Sequence, residues 1–326
     1  MIERLVESVE RSAATRPGVA LLFLALALFA SGGCDTSPVN GPADPGVIWT
    51  RITDVGTVAD PFFPEWRGDS IVFEFFNSSG RSRLAIMHES GAGLRFLTGG
   101  GATTNDRYAR WVNDDILVFT STRAGAGTFD LWYRTLSTDV ARLFTAFTTG
   151  EWDPAPRPGL PGLAYTEGPG PISGRITLLP DTAASLSTRI FLTPSTTDAG
   201  EASWNPAGDL ICFTADSTDG SRHVWVASLA PGDTTLTQLT TGPYQDSFPH
   251  FSSDGSRIYF ISDRMGRSGV WWVSPSGEGT GLDVVALEDP GAVLATLSPS
   301  PDGTRIAVSS DGRGFGRAIW ILSNLP

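Results

Sequence analysis

The chain has 326 residues, a formal net charge of −12, 37 glycines, 23 prolines and 10% aromatic residues. A chain of this length can bury a large core, so its stability requires neither a disulfide framework nor a structural metal. Its negative charge repels phosphate backbones, which excludes nucleic acid and favours cations or cationic proteins as partners.

Residues 1–33 are predicted to be an export signal. Residues 19–30 form a 12-residue apolar run, which suits a signal peptide and is too short to span a bilayer comfortably. Small residues then lead directly into Cys34, as they do in the cleavage site of bacterial lipoproteins, so Cys34 is predicted to carry the lipid. An ordinary secretory signal or a weak anchor helix with an incidental cysteine is the alternative.

Residues 34–46 contain the predicted lipidated cysteine and a tether rich in proline, glycine and aspartate. The second cysteine, Cys212, lies within the apolar sequence LICFTA and is predicted to be a buried core residue.

A repeat of nearly constant length occupies residues 47–326. Six units share an aromatic residue or proline shortly before a turn glycine, and these markers are Trp66, Trp111, Pro156, Trp204, Phe251 and Pro299. Successive markers are 45, 45, 48, 47 and 48 residues apart. A period of this size is typical of the four-stranded blades of a β-propeller.

The unit at 245–287 shows the pattern best, with predicted strands at 248–252, 257–262, 269–274 and 282–287. These stretches are rich in β-branched and aromatic residues, and Asp254-Gly255 makes the first turn. The sixth unit ends after its third strand, whereas residues 47–53 resemble a fourth strand that has no unit of its own. The sequence therefore predicts an all-β, six-bladed propeller of four-stranded antiparallel blades, closed when residues 47–53 complete the last blade.

The repeat resembles the TolB-type propeller repeat, in which P-x-W-S-P-D-G precedes an apolar strand, S-D-x-x-G and a second apolar strand. The segments PHFSSDGSRIYFISDRMGRSGVWWVS and SPSPDGTRIAVSSDGRGFGRAIWIL carry the resemblance most clearly. It implies a WD40-like propeller over 47–326 and a place in the cell envelope. Prolines crowd the first hairpin of the third unit, so that blade is expected to be loosely paired.

Acidic residues stand just before the first strand of five units. We predict that they gather at one mouth of the central channel and bind a cation or a cationic side chain; they are Asp60, Asp106, Glu151, Glu201 and Asp246. The alternative is that each acid caps its own turn. Arginines between second and third strands, among them Arg123 and Arg264, are expected on the opposite face.

Two further residues are candidate contacts. Trp152 breaks the tryptophan pattern and lies between two acids, which favours an exposed contact residue. His250 lies on a predicted innermost strand and faces either a ligand or the packing between blades. The chain's three histidines show no metal-ligand spacing, so no metal and no cofactor is predicted.

Two classes of function fit the sequence. The first is a non-catalytic, monomeric lipoprotein, exported and anchored on the periplasmic side or the cell surface, whose propeller binds an envelope protein or a glycan. The second is an enzyme with its site in the channel, of the metal-dependent lyase or hydrolase type. The lack of a catalytic motif favours the first class.

Overall fold

We describe a computed structural model for residues 46–53, 59–99, 103–125, 128–145, 147–180, 189–230, 233–277, 282–314 and 316–326. The predicted signal segment, Cys34 and residues 35–45 of the tether lie outside these residues. The body from Gly46 to Pro326 forms one compact unit. No helix within the described ranges is long and apolar enough to cross a bilayer.

The body contains 24 strands in six four-stranded antiparallel sheets. The innermost strands are β2 (Ala59–Arg67), β6 (Asp106–Trp111), β10 (Glu151–Pro156), β14 (Ala199–Trp204), β18 (Asp246–Phe251) and β22 (Leu294–Pro299). The second strands are β3 (Ser70–Phe76), β7 (Ile116–Ser121), β11 (Leu163–Glu167), β15 (Leu210–Asp216), β19 (Ile258–Ser262) and β23 (Ile306–Ser310).

The outer half of each blade is built in the same way. The third strands are β4 (Ser82–His88), β8 (Asp130–Thr135), β12 (Arg175–Leu179), β16 (Arg222–Ala230), β20 (Gly269–Val273) and β24 (Ala318–Ser323). The outermost strands are β5 (Arg95–Phe96), β9 (Val140–Leu143), β13 (Ile190–Phe191), β17 (Asp233–Gln238), β21 (Asp283–Leu287) and β1 (Ile48–Arg51). The predicted six-bladed propeller is therefore confirmed.

The predicted closure of the ring is also confirmed. Strand β1 pairs antiparallel with β24, with Ile48 opposite Ser323 and Arg51 opposite Trp320. Thr53, just after β1, accepts a hydrogen bond from the N–H of Ile319 at 2.9 Å. In four other blades a threonine after the fourth strand likewise accepts from a backbone N–H of the third strand, at Thr98, Thr145, Thr193 and Thr240.

The core consists of apolar clusters that join neighbouring blades. In one cluster Trp66, Ile71 and Phe73 of the first blade pack with residues of the sixth, including Ile319. In another, Cys212 and Val224 of the fourth blade pack with Phe260 of the fifth. Because each blade buries its two faces against its neighbours, the ring is stable only as a whole. Cys212 is fully buried, as predicted.

The third blade differs from the expectation of loose pairing in its first hairpin. Strands β10 and β11 pair at four positions, and their single register shift lies at the same place as in the second, fourth and fifth blades. Its fourth strand has only two residues, Ile190 and Phe191, as does the fourth strand of the first blade. Proline is tolerated in β10 because an innermost strand uses only one of its edges for pairing.

Candidate functional site

Each innermost strand contains a β-bulge near its middle. The register with the second strand shifts in all six blades, and in the first five a shift lies between the fourth and the first residue before the marker. Five of the bulges hold a non-glycine residue with a left-handed backbone, at Phe63, Tyr108, Asp153, Glu201 and Phe248, with φ between 43° and 60°. A bulge redirects the side chain that it carries, and positive φ in bulky residues clusters at functional sites.

Three of these side chains meet across the channel. The ring of Phe63 lies 4.5 Å from that of Tyr108 and 5.6 Å from that of Phe248, between ring centroids. Phe63 belongs to the first blade and Phe248 to the fifth, so this contact bridges blades that are not neighbours. We call Phe63, Tyr108 and Phe248 the aromatic plug, since together they narrow the channel at this level.

A network of charged side chains lies next to the plug. The guanidinium of Arg110 donates to Glu65 at 2.7 Å, to Asp153 at 3.1 Å and to Nε2 of His250 at 2.6 Å. Nδ1 of His250 lies 3.4 Å from the hydroxyl of Ser203. These five residues, which we call the channel network, come one each from the first five blades.

The protonation of the channel network follows from these contacts. A guanidinium donates and cannot accept, so Nε2 of His250 is the acceptor and the ring proton lies on Nδ1. Burial, together with the charge of Arg110, holds the pKa of His250 well below its usual value. Burial also raises the pKa values of Glu65 and Asp153, and Arg110 partly opposes both shifts. Imidazole is therefore neutral at pH 7.

The channel network opens toward one mouth of the propeller. A cavity of about 190 Å³ and a second of about 480 Å³ both reach Glu65 and His250. Their walls combine aromatic rings, prolines and small polar groups; they include Trp66, Trp111, Trp204, Phe251, Pro158 and Pro301. Arg67 and Asp114 form an ion pair of 2.6 Å at the rim. We call this region the lower mouth.

The predicted ring of acids has a different arrangement. Asp106 and Asp246 are fully buried. Arg123 binds Asp106 at 2.9 and 2.7 Å, and Arg264 binds Asp246 at 2.8 and 3.0 Å. Asp60, by contrast, is exposed. Each of these two acids is thus paired with an arginine of its own blade, which differs from the alternative that each caps its own turn.

Glu151 and Glu201 are also buried and hydrogen-bonded. Glu151 accepts from the N–H of Leu131 at 3.2 Å and from Thr145. Burial raises the pKa of Glu151 to about 7 in spite of these bonds. Glu201 accepts from Thr214 at 2.7 Å and from the N–H of Phe248 at 3.0 Å, which joins the fourth and fifth blades.

The arginines between second and third strands lie at the same end of the propeller as these acids, so the expectation of opposite faces is wrong. An innermost strand starts at the end where the second strand of its hairpin finishes, which brings Arg123 beside Asp106. The sixth blade has an acid in this role too: Glu288, fully buried, bonds Ser310 at 2.5 Å and lies 3.5 Å from Arg313. The recurring signal is a serine two or three residues before an arginine.

The two candidate contact residues, Trp152 and His250, differ in whether a ligand can reach them. Trp152 is only 9% exposed; its indole N–H donates to the carbonyl of Gly168 at 3.0 Å, and its ring packs 4.1 Å from that of Phe129. The prediction of an exposed tryptophan is therefore wrong. The side chain of His250 is 12% exposed and borders the lower mouth, so of the two only His250 can reach a ligand there.

No protein-family model matches the chain, and no curated protein matches it. Among solved structures, TolB from Acinetobacter baumannii is similar with a TM-score of 0.60 and 17% identity, over 80% of this chain and 66% of that one. A gluconolactonase from Xanthomonas campestris is similar with a TM-score of 0.58 and 15% identity, over 90% of this chain and 100% of that one.

An oligogalacturonate lyase from Vibrio parahaemolyticus is similar with a TM-score of 0.57 and 12% identity, over 84% of this chain and 93% of that one. Another oligogalacturonate lyase structure, at 13% identity, is a complex with manganese. At these identities the likeness establishes the β-propeller fold, which binding proteins and enzymes share.

The channel network does not fit a metal ion as it stands. Glu65, Asp153 and Nε2 of His250 are the oxygen and nitrogen donors that a divalent metal would use. The guanidinium of Arg110 already lies between all three, at 2.6 to 3.1 Å. Over the described ranges, no group of three or more His, Cys, Asp or Glu residues is placed to hold a metal.

Proposed function

We propose that this chain is a binding protein of the cell envelope, exported and anchored through a lipid on Cys34, whose propeller holds a protein or glycan ligand without transforming it. The channel network carries the proposal. Its acids and its imidazole are engaged by Arg110, so the groups that could act as base or nucleophile serve to fix the channel wall. The lower mouth beside them is a preformed cleft.

The lining of the lower mouth indicates how a ligand would be recognised. Aromatic rings and proline rings supply rigid apolar contacts, while Glu65 and His250 supply polar ones at the bottom of the cleft. The side chain of Glu65 is 17% exposed, and its carboxyl oxygens can accept from a cationic side chain of a protein ligand as well as from Arg110. Mixed surfaces of this kind are typical of binding sites for protein segments and sugars.

Site-specific photo-crosslinking in the native envelope tests where the ligand binds. A crosslinker at Asp114, whose side chain is 92% exposed on the rim of the lower mouth, should capture the ligand. The exposed Asp219, in the loop between β15 and β16 at the other end, is the matched control. Capture at Asp219 and not at Asp114 would contradict the assignment of the mouth.

The anchor is tested separately. Metabolic labelling with a fatty acid should label the wild-type protein and leave a Cys34→Ser variant unlabelled and released from the membrane fraction. Equal labelling of both proteins would contradict the lipid attachment without affecting the proposed ligand site.

A channel enzyme is the second candidate, because His250, Glu65 and Asp153 together would form a donor set if Arg110 moved away. The corresponding experiment measures tightly bound divalent metal and cleavage of oligogalacturonides by the wild-type protein and by His250→Ala. Metal and cleavage that are both lost in the variant would favour the enzyme over the binding protein.

A further inference from the structure

Strand β17 is an unusual outer edge. It has six residues, whereas the other outermost strands have two to five. Its register with β16 is regular over all six residues. Residues 234–238 carry no charge and no proline, and the side chains of residues 234–237 are exposed. Proteins normally protect long edges with charge, proline or a bulge, and none of these interrupts residues 234–238.

The register determines which backbone groups of β17 point outward. The N–H of Leu239 donates to the carbonyl of Val224 at 2.9 Å, so this opposite pair is a hydrogen-bonded one. Hydrogen-bonded pairs alternate along an antiparallel ladder, so Thr237 and Thr235 also bond β16. Thr234, Leu236 and Gln238 therefore direct their N–H and C=O groups away from the blade, where an added strand would meet them.

An apolar groove lies beside this edge. It has a volume of about 430 Å³ and separates the third blade from the fourth, between Ile190 and Phe191 of β13 and Thr234 and Leu236 of β17. Ile190, Phe191 and Leu236 are 52%, 47% and 41% exposed, which is high for large apolar side chains. Thr234 and Leu236 thus belong to both features: their backbone groups are directed outward from the edge, and their side chains line the groove.

We infer that β17 and this groove form a docking site for an extended segment of a partner protein, which adds to the fourth blade as a fifth strand. Cross-strand neighbours share a face of the sheet, so the partner residues that bond Thr234 and Leu236 also place their side chains in the groove. That row of the partner must be apolar. The intervening residues lie on the other face and can be polar.

Charge further defines the partner. Among the described residues that line the groove, Arg157 has the only charged side chain. Its Nε donates to the carbonyl of Gly208 at 2.6 Å, and its guanidinium stacks over Trp204. Neither contact neutralises its charge. A segment that extends a carboxylate side chain into the groove complements Arg157, and one that extends a lysine or arginine there is rejected.

A second copy of this chain is a poorer occupant. Pairing of β17 with its own copy about Leu236 would place Thr234 opposite Gln238, so Leu236 would be the sole apolar side chain contributed from residues 234–238. The groove would stay largely unfilled. A different protein with an alternating apolar strand fills it better.

A synthetic peptide provides the test. Its sequence alternates valine and threonine, with glutamate at one end and a fluorophore at the other, and its threonine nitrogens are methylated. These methyl groups block the far edge and prevent aggregation, yet leave the valine N–H groups free to bond β17. The control peptide is methylated on the valine nitrogens instead. Fluorescence anisotropy should show binding of the first peptide and loss of binding of the second.

Variants of the protein locate the binding site. Leu236→Pro removes an outward N–H and leaves the ladder to β16 complete, so we expect about tenfold weaker binding with an unchanged fold by circular dichroism. Phe191→Ser should also weaken binding. Phe96→Ser is the matched control, because Phe96 is similarly exposed, at 54% against 47% for Phe191, on the outer strand of another blade.

The outcomes decide the proposal. Absence of peptide binding to the wild-type protein, or equal binding by Leu236→Pro, would overturn it. Concentration-dependent dimerisation that protects the amides of Thr234, Leu236 and Gln238 from hydrogen exchange would also overturn it, in favour of a second copy. None of these results bears on the lower mouth, so the two proposals fail independently.

Discussion

Arg110 and Glu65 occupy the same position of consecutive repeats, 45 residues apart, and their side chains are joined at 2.7 Å inside the channel. Each directly precedes the tryptophan that marks its unit. One repeated position thus supplies a cation in one blade and its counterion in the next. His250 and Ser203 occupy this position in two further blades. Four of the five residues of the channel network therefore come from one position of the repeat.

Replacement of Arg110 by methionine should destabilise the protein by about 3–5 kcal/mol near pH 7, because Glu65 and Asp153 would remain buried without their counterion. Loss of Arg110 raises the pKa values of both carboxyls further, so both become protonated in the folded variant as pH falls. The stability deficit should therefore be smaller at pH 5 than at pH 8 in urea unfolding.

Arg67→Met is the matched control, since the pair of Arg67 and Asp114 is exposed and should change stability by less than about 1 kcal/mol. A deficit in Arg110→Met that is the same at both pH values would show that the two carboxyls are not the origin of the effect.

The carboxyl of Glu151 should make stability fall as pH rises. Its pKa is raised from 4.5 to about 7 in the folded state, so the folded protein holds a proton that the unfolded chain releases. The resulting loss, of about 3 kcal/mol, develops between pH 4.5 and 7 and is complete above that window. Glu151→Gln removes this contribution, so the variant should gain on the wild-type protein as pH rises. Parallel stability curves would contradict this.

Asp106→Asn and Asp60→Asn should have unequal effects. Asp106 is buried against Arg123, and its neutralisation should cost about 2–3 kcal/mol, because Arg123 loses its charge partner. Asp60 is exposed, so its neutralisation should stay within about 0.5 kcal/mol. Thermal unfolding measures both. Equal, small effects would favour the hypothesis that these acids form a ligand-binding ring over a structural role for Asp106.

Thr53→Val should destabilise the ring by about 1–2 kcal/mol, since the buried N–H of Ile319 would lose its acceptor. Thr50, on the exposed side of β1, provides the control, and Thr50→Val should be nearly neutral. A comparable cost in Thr98→Val would show that the N-terminal segment closes its blade as strongly as a continuous blade closes itself. The free energy of unfolding in urea gives all three values.

Much of the fold could be predicted because it repeats. A single marker, such as Trp66 or Trp204, is weak, but six at a near-constant spacing define the number of blades. The strand at residues 47–53 belongs to no unit, so the sixth unit, which lacks a fourth strand, is the one place where it can pair. Arg123 lies beside Asp106, contrary to the expectation, because the second strand of an antiparallel hairpin ends where the first begins.

The candidate site was harder to predict for physical reasons. Phe63, Tyr108 and Glu201 are bulky residues, which normally avoid a left-handed backbone, so the sequence does not indicate that they adopt one. Trp152 breaks the tryptophan pattern in the sequence, yet Phe129 and Gly168 enclose it in the fold. The meeting of Arg110 with Asp153 and His250 depends on closure of the ring, which no local pattern encodes.

The pairing of β1 with β24 also sets an order of events in folding. Strand β1 is synthesised early, but the sixth blade can form only after β24 has also been synthesised. Until then the apolar faces of the first and sixth blades stay open to water and to other chains. Synthesis of this protein therefore includes a vulnerable interval that lasts until β24 has been made, and a holding chaperone would protect the chain during that interval.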